Sequence, residues 1–129
     1  MQDIIQEIVG IAKGIGLVFD TNEITWDRGE RQTTIGIPTR TENKRKIWRG
    51  FFWVRPKSGK LNFWLPQNAA FSVLSKRYGI EIVTAPVTHM TGGKKDSILA
   101  MTDLSRLNLT SQKHRQFIRD VIEMNRGGQ

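Results

Sequence analysis

Apolar residues recur along this chain with two different periods, and each change of period marks an element. Between residues 2 and 15 they fall at 4, 5, 8, 9, 11, 12 and 15, a helical spacing, with Asp3 and Glu7 near the start where the helix dipole favours acids. Gly14 and Gly16 end that helix. Leu17-Val18-Phe19 reads as a short strand and Asp20-Thr21-Asn22 as a polar turn. Ile24-Thr25-Trp26 and residues 33–37 read as strands joined by Asp27-Arg28-Gly29-Glu30. Pro38 stops the second of these, since proline cannot donate to a ladder. Residues 39–46, TRTENKRK, have no apolar position and read as a charged connection.

Residues 47–65, IWRGFFWVRPKSGKLNFWL, then form the centre of the pattern. Pro56 and Gly59 are turn residues: the first presets φ, and the second supplies a left-handed position. Closing the hairpin on Pro56 to Gly59 sets Arg55 opposite Lys60, Val54 opposite Leu61, Trp53 opposite Asn62 and Phe52 opposite Phe63. Phe51 then meets Trp64, and Gly50 meets Leu65. Side chains alternate across a strand, so one face carries Phe52, Val54, Leu61, Phe63 and Leu65, all apolar. The other carries Arg49, Phe51, Trp53, Arg55, Lys60, Asn62 and Trp64, aromatic and basic together.

Beyond Pro66 the spacing predicts a helix over 67–78, with Ala70, Phe71, Val73 and Leu74 on its apolar side and Gly79 as its stop. Residues 80–83 alternate like a strand. Residues 85–97 hold Pro86, Gly92 and Gly93 and read as a long loop with Lys94 and Lys95 at its tip. A strand over 98–101 and a helix over 111–125 follow. Thr110 or Ser111 caps that helix, and Phe117, Ile118, Val121 and Ile122 form its buried stripe. Hairpins with about three helices packed on them make an α+β fold with an antiparallel sheet, in one domain over 1–129 whose residues 127–129 form a frayed tail. Phe52, Val54, Leu61, Phe63, Phe71, Leu74, Phe117, Ile118 and Val121 are the expected core.

Charge changes this picture more than composition does. The chain has no cysteine, which excludes disulfides and thiolate metal sites. No apolar run approaches the ~20 residues of a membrane span, and the acidic N-terminus is unlike a signal peptide, so a cytoplasmic protein with no membrane partner is the expectation. The formal net charge is +8. Nearly all of it lies between Arg40 and Lys60, where eight basic residues face Glu42 alone. The first 39 residues carry six acids and three bases. Charge segregated in this way suits a phosphate-bearing partner.

The candidate chemistry is correspondingly one of binding. Bases of DNA or RNA could stack on Phe51, Trp53 and Trp64 while Arg40, Lys44, Arg45, Lys46, Arg49, Arg55, Lys57 and Lys60 hold phosphates. The same aromatic face would alternatively serve a homodimer or a protein partner. Glu42-Asn43-Lys44 has the E-x-K spacing of restriction-type nucleases, with Asp20 or Asp27 upstream as a further metal ligand. That site needs a rigid strand with apolar flanks, and TRTENKRK has none. His89 and His114 pair with no nucleophile or ligand pattern, and Gly92-Gly93-Lys94-Lys95 lacks the first glycine of a phosphate loop. The closing Gly127-Gly128-Gln129 matches the tripeptide of peptide-release factors but stands at the chain end. No catalytic constellation is complete, so a non-catalytic binding module without cofactors or metal is the expectation.

From Phe51 onward, F-x-W-V-R-P-x-x-G-K-L-x-F-W-L is followed by a helix, a glycine-containing loop, a short strand, a leucine-rich turn and a last helix. Over residues 51–126 this order resembles a small uncharacterised domain labelled a predicted transport protein, found alone or at the C-terminus of larger, sometimes nuclease-like, proteins. Phe52, Pro56, Lys60, Leu61 and Leu65 match its hairpin, Gly92-Gly93 its glycine loop and Asp103-Leu104 its turn. The resemblance implies a fold and carries no catalytic motif.

Overall fold

A computed structural model of the chain describes residues 3–25, 29, 31–85 and 97–126, apart from the side chains of Arg40, Glu42, Arg45, Lys46 and Ile47. Helix α1 (Ile4–Gly14) leads into strands β1 (Asp20–Thr25), β2 (Arg31–Glu42), β3 (Arg45–Arg55) and β4 (Lys60–Pro66). Helix α2 (Phe71–Tyr78), strands β5 (Val83–Thr84) and β6 (Ser97–Asp103), a 3-10 turn (Leu104–Arg106) and helix α3 (Gln112–Arg126) complete the order. The six strands form one antiparallel sheet, β1-β2-β3-β4-β6-β5, so the fold is α+β.

The helices lie on one face of this sheet. Phe52, Val54, Leu61, Phe63 and Leu65 point into a core that α3 closes with Phe117, Ile118, Val121 and Ile122. Phe117 meets Phe63 edge-on at 5.2 Å and Tyr78 of α2 at a tilt at 5.3 Å, so the core joins sheet and helices through ring contacts. The Tyr78 hydroxyl donates to Asp120 of α3 at 2.7 Å, fastening α2 to α3. Arg115 of α3 donates to Glu7 of α1 at 3.1 Å, and Arg126 donates to the Ile15 carbonyl just past α1.

The β3–β4 hairpin has the expected register from Phe52–Phe63 to Arg55–Lys60 and the expected left-handed Gly59. Phe71 differs slightly from expectation, being half-buried against the core rather than inside it.

Other elements differ for physical reasons. Residues 20–22 are strand rather than turn, because Asp20, Thr21 and Asn22 pair with Gly36, Ile35 and Thr34. Residues 17–19 form no strand, and Phe19 instead sinks its ring against Phe51. The second helix starts at Phe71, not Gln67, since the Ala69 N–H closes a turn on the Pro66 carbonyl. Ile80 and Ile82 are both buried, and the Ile82 N–H donates to Ser75 Oγ, so β5 shrinks to two residues. The expected loop tip at Lys94 and Lys95, with His89 and Gly92-Gly93, falls on residues 86–96, outside those described, as do Asp27 and the 127–129 tail.

The largest departure concerns Pro38 and residues 39–46. Pro38 does not end β2. It stands opposite Trp48 within a strand that continues to Glu42, and residues 39–46 are the tip of a β2–β3 hairpin rather than a connection. A proline is tolerated there because, among the described residues, the strand has no sheet neighbour on its other side.

Candidate nucleic-acid interface

Two bulges shape the β2–β3 hairpin. The pairing slips between Ile35–Phe52 and Gly36–Gly50, leaving Phe51 as the extra residue, and again between Pro38–Trp48 and Arg40–Ile47, leaving Thr39. The first slip needs bare backbone. A Cβ on Gly36 would collide with the Arg49 carbonyl oxygen and lie 3.0 Å from Gly50 Cα, and a Cβ on Gly50 would strike the Trp53 ring. Past this point the hairpin stands alone: β1 pairs with β2 only as far as Gly36, and β4 pairs with β3 only from Phe52. Residues 37–49 therefore form a two-stranded arm, roughly 20 Å long at ~3.3 Å per residue. At its tip Asn43 (φ 51°) and Lys44 (φ 64°) are both left-handed, the geometry of a two-residue primed turn that matches strand twist.

The bulge also redistributes the residues expected on one aromatic-basic face. Phe51 turns into the core, 1% exposed, with its ring 4.8 Å from Phe19, instead of lying beside Trp53. Arg49 follows it. Its guanidinium lies 5.0 Å from the Phe51 ring and donates to the Asn125 carbonyl at the C-terminal end of α3, where a cation suits the helix dipole. Burial lowers the pKa of this guanidinium, which nonetheless stays charged. Asn125 Nδ2 donates to the Trp64 carbonyl at 2.9 Å, so the end of α3 is held to both β3 and β4 at the root of the arm.

On the face away from the helices, Trp53 is 2% exposed and meets Trp64 edge-on at 5.8 Å, with Ala85, Leu99 and Met101 around them. Gln32, Thr34 and Asn62 are buried on the same face. Trp53 therefore offers no open ring for a base to stack on, whereas Trp64 is partly exposed. Arg55 donates to Gln32 Oε1 at 2.8 Å, and Lys60 pairs with Asp103, whose carboxyl it holds below the usual range. Lys57 is exposed in the Pro56–Gly59 turn, at the opposite end of β3 from Lys44.

The eleven residues expected to bind thus separate into three places. Lys44 lies in the exposed arm turn; Arg40, Arg45 and Lys46 hold register positions on the arm, their side chains lying outside those described. Arg49 and Phe51 belong to the root of the arm and the core. Trp53, Arg55, Lys57, Lys60 and Trp64 occupy the far sheet face and the opposite turn. Sequence reasoning passed over Trp48, which is half-buried on the arm opposite Pro38. Its position between Lys46 and Arg49 was the available signal.

For the E-x-K reading, Glu42 ends β2, and Lys44 sits in the turn rather than on a strand. Asp20 pairs with Gly36, six residues from Glu42, so the two backbones stand roughly 20 Å apart along β2. Among the described residues no three His, Cys, Asp or Glu side chains gather into a metal-sized group, and no helix is long and apolar enough to cross a membrane. His114 accepts the Asn108 N–H on Nδ1 at 2.9 Å, and burial followed by the neighbouring Lys113 charge lowers its pKa, so it serves the turn into α3. No family model matches the chain, and no curated protein or solved structure matches it either.

Proposed function

We propose that this protein binds nucleic acid through the β2–β3 arm. One observation carries the reading: four basic residues, Arg40, Lys44, Arg45 and Lys46, against Glu42 alone, are concentrated at the outer end of a two-stranded ribbon with no strand on either side among the described residues. A ribbon of this width is narrower than the ~12 Å major groove of a duplex, and its cations can displace counterions from phosphates along the groove walls. Its unpaired strand edges add backbone N–H groups that phosphate oxygens can accept from. Burial of Phe51 and Trp53 favours a duplex held by charge over a single strand held by stacking.

The test is fluorescence polarisation of a labelled duplex and of its single strand across a range of salt. Binding through the arm gives a log–log salt slope of about −0.9 per phosphate neutralised on a duplex. The Lys44→Ala, Arg45→Ala, Lys46→Ala triple variant should flatten that slope by about 2 to 3 units while its thermal melt stays cooperative. Absence of binding at low salt, or an unchanged slope in the triple variant, refutes the proposal.

A further inference from the structure

On the helix side of the sheet, α2 and α3 leave an open groove of about 290 Å³ beside the end of β4. Pro66, Ala70, Val73, Leu74 and Met124 line it with carbon, and Arg77 stands at its edge. Val73 is 52% exposed, so α2 turns an apolar side chain toward solvent within an apolar surround. The volume suits one large side chain; small-molecule sites begin near this size and usually extend well beyond it.

The surrounding charge narrows the choice of occupant. The last turn of α2 carries Lys76 and Arg77, and its first turn carries no acid. The nearby acids on α3 are engaged internally: Asp120 accepts from Tyr78 and Gln116, and Glu123 pairs with Arg126. Among the described residues Arg77 pairs with no carboxylate; its guanidinium lies 6.0 Å from the Tyr78 ring. An apolar slot with a guanidinium at its rim that pairs with no carboxylate among the described residues fits an apolar side chain with a carboxylate beside it. A nucleobase fits poorly, since the lining has no aromatic ring to stack on and few polar atoms to read a base edge.

We infer that this groove docks an acidic peptide segment of a partner protein, which inserts one aliphatic or aromatic side chain over Val73, Leu74 and Met124 and sets a carboxylate against Arg77. The site is separate from the arm and stands whether or not the arm binds nucleic acid. A short apolar anchor with a charged rim is the pattern of transient peptide recognition, in which the buried side chain supplies most of the affinity.

The experiment uses the whole chain with methyl-labelled methionine and three synthetic peptides: an aspartate-rich peptide with a central leucine, the same peptide with serine for leucine, and a lysine-rich version keeping the leucine. The leucine peptide should shift the Met124 methyl resonance and leave Met101, on the other sheet face, in place. Replacing its leucine by serine, or introducing Val73→Asp, should weaken binding about tenfold or more, from loss of one buried side chain. Arg77→Ala should weaken it several-fold and reduce its salt dependence. Val73→Asp leaves a surface position polar, so its melting temperature should match the parent, and oligonucleotide binding should not change. The inference is overturned if no acidic peptide moves Met124, if the serine peptide binds equally, or if the lysine peptide binds as well. It is also overturned if sedimentation shows that Val73→Asp converts a dimer to a monomer, since the groove then belongs to a second copy.

Discussion

Gly36→Ala tests the geometry on which the arm depends. Gly36 and Gly50 face each other where the ladder slips, and a Cβ on Gly36 would sit against the Arg49 carbonyl oxygen, with Arg49 C and Gly50 Cα each 3.0 Å away. All three atoms are backbone, so no side chain can swing aside. Relief requires β3 to move by about an ångström at Arg49, which would disturb the Ile37–Arg49 and Gly36–Gly50 pairs and the Arg49 bond to Asn125. Overpacking with backbone displacement costs about 1–3 kcal/mol, and the lost contacts place this case at the upper end, about 3 kcal/mol. For a chain of this size that lowers the melting temperature by roughly 10 °C. Gly10→Ala is the counterpart in the same calorimetric assay: it sits inside α1 with nothing within 4 Å of its added methyl. It should raise stability by about 1 kcal/mol through helix propensity and unfolded-state entropy. If Gly36→Ala melts within about 2 °C of the parent, the two strands do not approach as closely as described, and the bulge argument fails.

Phe63→Ala should cost about 3–5 kcal/mol in denaturant unfolding, since the ring is fully buried between Phe52 and Phe117; an unchanged midpoint would mean that the sheet faces are reversed. Lys44→Gly should stabilise the fold by about 1 kcal/mol, relieving a left-handed non-glycine residue in the arm turn, while weakening oligonucleotide binding; a loss of stability would contradict the turn geometry. Asn125→Ala should cost about 2 kcal/mol by leaving the Trp64 carbonyl without its side-chain donor, read from the same unfolding curves. Tyr78 is the only tyrosine, so tyrosinate absorbance reports it alone. Burial, then the bond to Asp120, pushes its pKa from 10.0 up to about 12, so the stability it contributes is present below pH 10.0 and is lost as pH rises toward about 12. Tyr78→Phe should remove that alkaline dependence.

The parts of the fold legible in the sequence are those where one face meets the core. Phe52, Val54, Leu61, Phe63 and Leu65 alternate because every second residue of β3 and β4 touches the helices, and Phe117, Ile118, Val121 and Ile122 recur at helical spacing because α3 closes the same core. Alternation cannot reveal a bulge, however. One extra residue at Phe51 reverses the facing of everything before it, moving Phe51 and Arg49 from the far face to the helix side. The signal that could have located it was the pair of glycines, Gly36 and Gly50, each inside an otherwise strand-like run, where a close backbone approach is a common cause.

The arm was hidden for a related reason. A strand is recognised from sequence by the apolar face it buries, and residues 39–46 offer no apolar residue to bury, so their pattern is that of a loop. Their strand structure comes from hairpin pairing closed by a left-handed Asn43-Lys44 turn and rooted where Arg49 and Asn125 join β3 to α3. A segment that projects from the core and pairs only with itself is under no packing demand to be apolar, so it can be charged along its whole length. High charge also discourages its free edges from pairing with those of other molecules. The same charge that erases the strand signal is what the proposed phosphate contacts would use. The most basic stretch of the chain is therefore both the hardest to place from hydrophobic patterning and the one on whose placement the proposed binding depends.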